Sequence, residues 1–472
     1  METANTEPRV ETDSLGEMSV PGDALYGAST ARALENFPIS GMTMPLPLIH
    51  ALAMIKKACA FANLERGELD SQRAQLITQA AEEIREGRHD HQFQVDIFQT
   101  GSGTSTNMNV NEVIANRCSQ LADEPIGSKK PVHPNDHVNK SQSSNDTIPT
   151  ALHLSVALEI RDTLQPAIKL LARELEEKAA LWNETIKLGR THLMDATPIT
   201  LGQEFSGYAR QLRKAEQRCQ RAIDALSELA LGGTAVGTGL NAPSGFAQSA
   251  INFLRKDTML DLSEAQNHFE AQAARDDLVE VAGHLCALCS SLTKIANDIR
   301  LLGSGPRSGL GELTLPATQP GSSIMPGKVN PVMPEMLVQV SHYAIGQCQT
   351  VTRCGQDGHF ELNATMPLIA HCIHSSIHCL ANGITTFAKR CIADLKANES
   401  TCSHHAHNAI GLATALNPHV GYDTASSLAQ KAHETGESVK ATALAQNILS
   451  EEKLDEILDP KRLAFPNAHE NA

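Results

Sequence analysis

From Leu278 the apolar residues of this 472-residue chain recur in steps of three and four: Leu278, Val281, Leu285, Leu288, Leu292, Ile295, Ile299, Leu302. That spacing is the seam of a long helix packed against other helices. Gly303 follows as its stop. Four more long helices are expected. One runs from about Asp146 to Asn183, with Pro149 near its first turn and a kink at Pro166. One runs from Thr200 to Leu231, and Thr200 and Gln203 stand as N-cap and N3 of a capping box. A fourth follows Pro334, and a fifth runs from Met366 to Leu395 with Ile369, Ile373, Ile377, Leu380, Ile384 and Phe387 on one face. So many long helices point to a mainly α fold built on a central long-helix bundle. Their seams exceed what one small bundle hides, so some are expected to bury against other subunits. The texture of the sequence suggests three domains: 1–140, mixed and mostly helical; 141–365, the long helices; and 366–472, helical and more charged.

Composition narrows the partners. With 39 Lys+Arg against 54 Asp+Glu the net charge is -15. An acidic chain lacks the basic stripe that nucleic acids need, and an anionic membrane would repel it. Only 1 Trp, 4 Tyr and 11 Phe are present, so the core must be aliphatic. No uninterrupted apolar run approaches the ~18–20 residues of a membrane span. Residues 1–20 carry Glu2, Glu7, Glu11, Asp13 and Glu17 against Arg9, unlike a transit or secretory peptide. The 11 scattered cysteines contain no zinc-type double CxxC. A cytoplasmic protein with reduced thiols is the expectation.

Four segments rich in small polar residues interrupt the helices: GSGTSTNMNVNE from Gly101, HPNDHVNKSQSSND from His133, GRTHLMDATP from Gly189 and GSSIMPGKVNPVMPE from Gly321. Apolar seams have no use for them, whereas sites are commonly built on such loops. In the last, Gly321 and Gly327 read as hinges, with Ser322 and Ser323 at one end and Lys328 and Asn330 at the other. It is not a P-loop, because five residues separate Gly321 from Gly327 and Val329 stands where Ser/Thr is needed. The spacing of His133 and His137 could suggest a metal pair, but Pro134 intervenes and no HExxH glutamate is present. No metal or cofactor is expected. His404, His405 and His407, and His371, His374 and His378, read as solvated or helix-face residues.

GSSIMPGKVNP resembles the signature loop of the fumarase/aspartase superfamily. The other three segments resemble its remaining blocks in the right order, and the resemblance spans VPGDALYGAST from Val20 to NPHVGYD from Asn417. GSGTSTNMN, SQSSND, GRTH, GGTAVGTGLN from Gly232 and ANDIRLLGSGPRSGLGE from Ala296 read as class II fumarase. One departure stands out. Such fumarases commonly continue Asn-Pro with Thr-Gln-Cys-Glu, and this chain has Val332-Met333-Pro334-Glu335, as aspartases do.

The resemblance implies a three-domain fold whose central bundle joins a multi-helix core in a homotetramer, each active site drawing on three chains. It implies reversible, metal-independent addition of water to fumarate to give L-malate through an aci-carboxylate carbanion. Ser322 would be the base and Lys328 and Asn330 the stabilisers of the carbanion. His192, partnered by Glu335, would serve the opposite face through a water. Ser102, Thr104, Ser143, Ser144, Asn145, Thr191 and Ser323 would bind the substrate. His133, Asn135 and Asp136 would form a second dicarboxylate site. The alternative is aspartate ammonia-lyase, which shares the carbanion and the loop serine. Ser143-Ser144 favours the hydratase, since aspartases often read Ser-Thr there. A structural, crystallin-like recruit could have lost Ser322, Lys328 or His192, and all three are present.

Overall fold

The structure, a computed structural model, describes residues 7–466, so Glu2 lies outside them. In chain order a hairpin of β1 (Arg9–Asp13) and β2 (Gly16–Val20) precedes α1 (Ala28–Asn36), α2 (Leu46–Glu65), α3 (Ser71–Arg85) and α4 (Thr104–Leu121). Next come α5 (Ser144–Glu159), α6 (Gln165–Leu181), and the hairpin of β3 (Ile186–Thr191) and β4 (Met194–Thr200). The helix α7 (Leu201–Ala225) follows, then β5 (Glu228–Leu229), α8 (Phe246–Thr258), β6 (Ser263–Glu264) and α9 (His268–Ala273). The chain continues through α10 (Asp276–Leu302), β7 (Leu313–Thr314), α11 (Val332–Gly355), the small hairpin of β8 (Gly358–His359) and β9 (Leu362–Asn363), and α12 (Met366–Phe387). It ends with β10 (Lys396–Ala397), α13 (Glu399–Asn408) and several short helices. The fold is 62% helical, which makes it mainly α, and its sheets are all two-stranded.

The five long helices form, with altered ends. The seam residues of α10 are all buried, and Gly303 N–H bonds Ile299 O where the helix stops. Thr200 and Gln203 exchange both bonds of the capping box at 3.0 Å. That helix ends at Ala225 rather than Leu231. Leu229 enters a parallel pair with β6, and the two-residue step from Leu229 to Leu231 suits a strand rather than a helix. The expected 146–183 helix begins at Ser144, so Pro149 falls in its interior. The break comes as a π turn at Ile160–Leu164, immediately ahead of Pro166, which has no N–H for the next turn. The fifth helix ends at Phe387 in a second π turn, Ala388–Ile392. The fourth starts before Pro334, at Val332. A first-turn proline gives up an N–H that the helix would leave unused.

The seams cited for α10 and α12 are buried within the chain itself, so they are not the faces left for other subunits. The most apolar 18-residue stretch of α10 is nevertheless only 44% buried. By length and composition alone α10 could span a membrane, at a mean hydropathy of 1.3, as core helices of a bundle also can.

The described chain divides into two compact units. Unit 1 holds the residues up to Pro166, Gln217–Cys289 and His342–Ala381. Its axis is α2, buried on nearly every side, which packs on α3, α5 and α8. In α4, the buried carboxylate of Glu112 accepts N–H bonds from Gly27, Ser29 and Thr30 at 2.9–3.1 Å and the Thr30 hydroxyl at 2.6 Å, at the N-terminus of α1. That is where a helix favours a negative charge. Unit 2 holds Ala167–Glu216, Ser290–Ser341 and the residues from Asn382 on. Its C-terminal part closes over Leu188, Leu412, Leu416, Leu428, Val439 and Leu454.

Candidate active site

In unit 1 two helix N-termini meet. Ser143 is the N-cap of α5: its Oγ accepts from Asn145 N–H, and Asp146 Oδ1 accepts from Ser143 N–H at 2.9 Å. Ser144 and Thr104 are the first residues of α5 and α4. A chain of hydroxyls joins these starts, with Ser102 Oγ 2.8 Å from Thr104 Oγ1 and Thr104 Oγ1 2.7 Å from Ser144 Oγ. Asn145 Nδ2 donates to Ala235 O at 2.8 Å, and the second oxygen of Asp146 accepts from Gly232 and Thr234 N–H. Asp146 thereby fixes the GGTAVG segment to α5. Burial pushes its pKa up to about 6 against those three bonds. Two helix dipoles and several hydroxyls aimed at one place suit a small carboxylate.

Beneath this lies Lys56 of α2, fully buried. Its ammonium bonds Asn139 Oδ1 at 2.9 Å and Gln142 Oε1 at 3.0 Å. The π turn Pro134–Val138 carries Asn135 and Asp136, whose N–H groups both donate to His133 Nδ1 at 3.2 Å. His137 Nδ1 accepts from His133 N–H, so its imidazole is a local backbone cap. His133 and Asn135 border a cavity of about 300 Å³ that Lys129, Glu11, Asp13 and Glu112 also line.

In unit 2 the signature loop is folded upon itself. A Cβ at Gly321 would stand 2.0 Å from Lys328 O, and Asn330 Nδ2 donates to Gly321 O. Gly321 is therefore a point of close packing rather than a hinge, whereas Gly327 takes φ +79° and makes the turn. Ser322 Oγ accepts two backbone N–H bonds, from Ile324 at 3.2 Å and Met325 at 3.0 Å. Ser323, Lys328 and the apolar tip residues Ile324, Met325 and Val329 are exposed.

Thr191 and His192 lie on the β3–β4 hairpin. Thr191 opposes Met194, and the two-residue turn between them has φ +56° at His192 and +62° at Leu193. Both positive values match the twist of a type I′ turn, for which Gly and Asn are the usual residues. His192 is exposed, and no hydrogen bond or ion pair joins it to Glu335 within one chain among the described residues. Glu335 sits half-buried in the first turn of α11.

The residues that hold this hairpin were not legible in the sequence. Lys187 of β3 and Glu312 are fully buried, 3.3 Å apart. Arg190 and His405 both reach Glu312 Oε1, at 2.6 and 2.8 Å, and Lys187 also meets Glu204 at 3.2 Å. Burial raises the Glu312 pKa, but Arg190, Lys187 and His405 outweigh it and leave the group below the usual carboxylate value. His405 is thus a half-buried partner of an ionic cluster rather than a free helix-face residue. His374 is likewise buried, bonded to Ser155 at 2.9 Å and Glu159 at 3.0 Å. A lone Lys in the apolar strand Ile186–Leu188 was the one local signal of such a cluster.

Residues 16–346 match the sequence pattern of the lyase family, and residues 412–464 that of the fumarase C C-terminus. The particular branch follows from full-length similarity. The chain is 50% identical to the class II fumarate hydratase of Thermosynechococcus vestitus over 95% of its own length and 96% of that protein's. It is 49% identical to fumarate hydratase class II 1 of Pseudomonas aeruginosa over 98% and 99%. The crystal structure of class II fumarase from Schistosoma mansoni superposes with a TM-score of 0.95 at 40% identity, covering 98% of this chain and 100% of that one. The chain belongs to the class II fumarate hydratase family.

Proposed function

We propose that this protein is a fumarate hydratase that adds water reversibly to fumarate to give L-malate, a step of the tricarboxylic acid cycle. The observation that carries the reading is the hydroxyl chain Ser102–Thr104–Ser144 across two helix N-termini, in a chain that is full-length similar to class II fumarate hydratases. Those hydroxyls, with Ser143, Asn145, Thr191 and Ser323, bind the carboxylates of a small dianion.

In the malate-to-fumarate direction Ser322 takes the proton next to a carboxylate. A hydroxyl is a weak base unless its alkoxide is stabilised. Two N–H groups already point at Ser322 Oγ, and they would strengthen as its charge develops. The resulting carbanion spreads its charge as an aci-carboxylate, stabilised by the Lys328 ammonium and the Asn330 amide. His192, through a water, gives the departing hydroxyl its proton, and Glu335 orients the imidazole. That pairing is absent within one chain, which supports a homotetramer in which three subunits complete each site. The most apolar stretch of α10, only 44% buried within its own chain, supports the same assembly. His133, Asn135 and Asp136 form a second dicarboxylate site, brought together at the start of the Pro134–Val138 turn. A cytoplasmic, reducing setting fits eleven cysteines that all stand as thiols.

Aspartate ammonia-lyase is not favoured. The Val332-Met333-Pro334 departure falls in the first turn of α11, outside both the hydroxyl chain and the Gly321–Asn330 loop. The test is the near-ultraviolet absorbance of fumarate's double bond, followed from L-malate or from L-aspartate. Absorbance should rise with malate and stay flat with aspartate. A rise with aspartate alone would overturn the hydratase reading.

A further inference from the structure

The ammonium of Lys56 is a buried charge that makes no ion pair among the described residues. Its two hydrogen-bond acceptors, Asn139 Oδ1 and Gln142 Oε1, are neutral amides. Asn139 Oδ1 also receives Asn107 and Asn111 Nδ2 at 3.2 Å, and Asn139 Nδ2 donates to Gln142 O. Gln142 Nε2 in turn donates to Val138 O and Lys140 O, and Thr147 Oγ1 reaches Asn107 Oδ1. One network therefore runs from Lys56 through the whole turn that leads into Ser143, Ser144 and Asn145. The buried carboxylate of Asp146 belongs to the same region, but three backbone N–H groups occupy its oxygens. Burial lowers the Lys56 pKa to about 8, so the charge is held at a cost. The other buried residues of α2 are apolar apart from Asn63, and a leucine or methionine would satisfy the packing at position 56. A cation kept there with no direct ion pair, facing only the charge of Asp146 at longer range, is further compensated when an anion arrives at the helix starts above it.

We infer that Lys56 is a positioning residue for the substrate: its bonds to Asn139 and Gln142 shape the 139–145 turn, and its charge attracts the dicarboxylate bound there. This rests on the reading of Ser143, Ser144 and Asn145 as substrate-binding residues. Lys56 itself touches no reacting atom, so its removal acts on binding rather than on the chemical step.

The experiment compares the full-length protein with Lys56→Met, Lys56→Arg and Gln142→Glu. It records kcat and KM for L-malate, Tm, and the affinity for succinate, which has no double bond to hydrate. Lys56→Met should raise KM about tenfold and weaken succinate similarly, with kcat largely kept, as expected for a lost hydrogen-bonded charge. Lys56→Arg should recover most of that loss. Gln142→Glu sets a carboxylate against the ammonium at nearly unchanged size but gives up the two bonds that Gln142 Nε2 donates to Val138 O and Lys140 O, so it should raise KM and weaken succinate at some loss of Tm. A folded Lys56→Met with unchanged KM and succinate affinity would overturn the inference. If Lys56→Met does not fold, an unchanged KM in Gln142→Glu overturns it. Absence of hydratase turnover in the unaltered protein would instead sink the proposed function, and succinate binding would still decide the role of Lys56.

Discussion

His192 stands in a backbone conformation that costs an ordinary residue about 1 kcal/mol relative to glycine, and Leu193 beside it does the same. A tight hairpin alone would favour Asn-Gly at those two positions. An imidazole kept there at that cost, exposed and without a hydrogen-bond partner among the described residues, fits the proposed role in the chemistry better than one in folding. Ser322 presents the opposite arrangement. Its backbone is ordinary, and its oxygen is served by two N–H groups of the following turn. Removing that oxygen should cost the base and only the two N–H bonds of its own turn. Ser322→Ala should therefore lower kcat by about 10³-fold, the usual scale for a positioned base, while Tm and assembly stay unchanged. Steady-state turnover and a melting curve on the same preparation check this, and a variant that kept substantial turnover would mean that another group takes the proton.

The β3–β4 hairpin that carries His192 is held by the cluster of Lys187, Arg190, Glu312 and His405. Glu312→Gln would leave two buried cations facing a neutral amide, which should cost about 3–5 kcal/mol and lower Tm clearly at neutral pH. The pH dependence follows from the depressed Glu312 pKa. The group ionises in the unfolded chain near 4.5 and in the folded chain below that. Its stabilisation is therefore fully present above 4.5 and is lost as pH falls through the folded value. The Tm gap between the two proteins should narrow below pH 4.5, and a gap independent of pH would show that lost packing, not charge, is responsible. Nothing in the linear sequence joins Glu312 to Lys187, since 125 positions and the seven elements from β4 to α10 separate them. The seam of α10 was readable because it repeats within one element. The burial of α2 was not, because a helix apolar on every side has no period to read. The loops were readable as sites because small polar residues have no packing role there. Their internal bonds, such as Ser322 with Met325 N–H, depend on turns that composition does not specify.

With a formal charge of -15, the molecule would disfavour a dianion unless positive groups were gathered where it binds. In the proposed site Lys56, bonded from α2 to the His133–Asp146 segment, and Lys328 on the signature loop would be such groups. If three chains complete each site, the segments that carry His192 and Ser322 come from different subunits in the assembled protein. Two inactive proteins, His192→Asn and Ser322→Ala, then contain all the parts of an active one. Mixed under denaturing conditions and refolded together, they should form hybrids in which some sites receive His192 from one variant and Ser322 from the other. Random assembly from equal amounts gives such a site about one quarter of the time, so about a quarter of the original activity should return. Each variant refolded alone should stay inactive, and mixing the two without unfolding should give nothing until subunits exchange. A refolded mixture that stayed inactive, in particles shown by light scattering to be tetramers, would mean that His192 and Ser322 of a site come from the same chain. The missing bond between His192 and Glu335 would then have to form by a rearrangement within one subunit rather than by assembly.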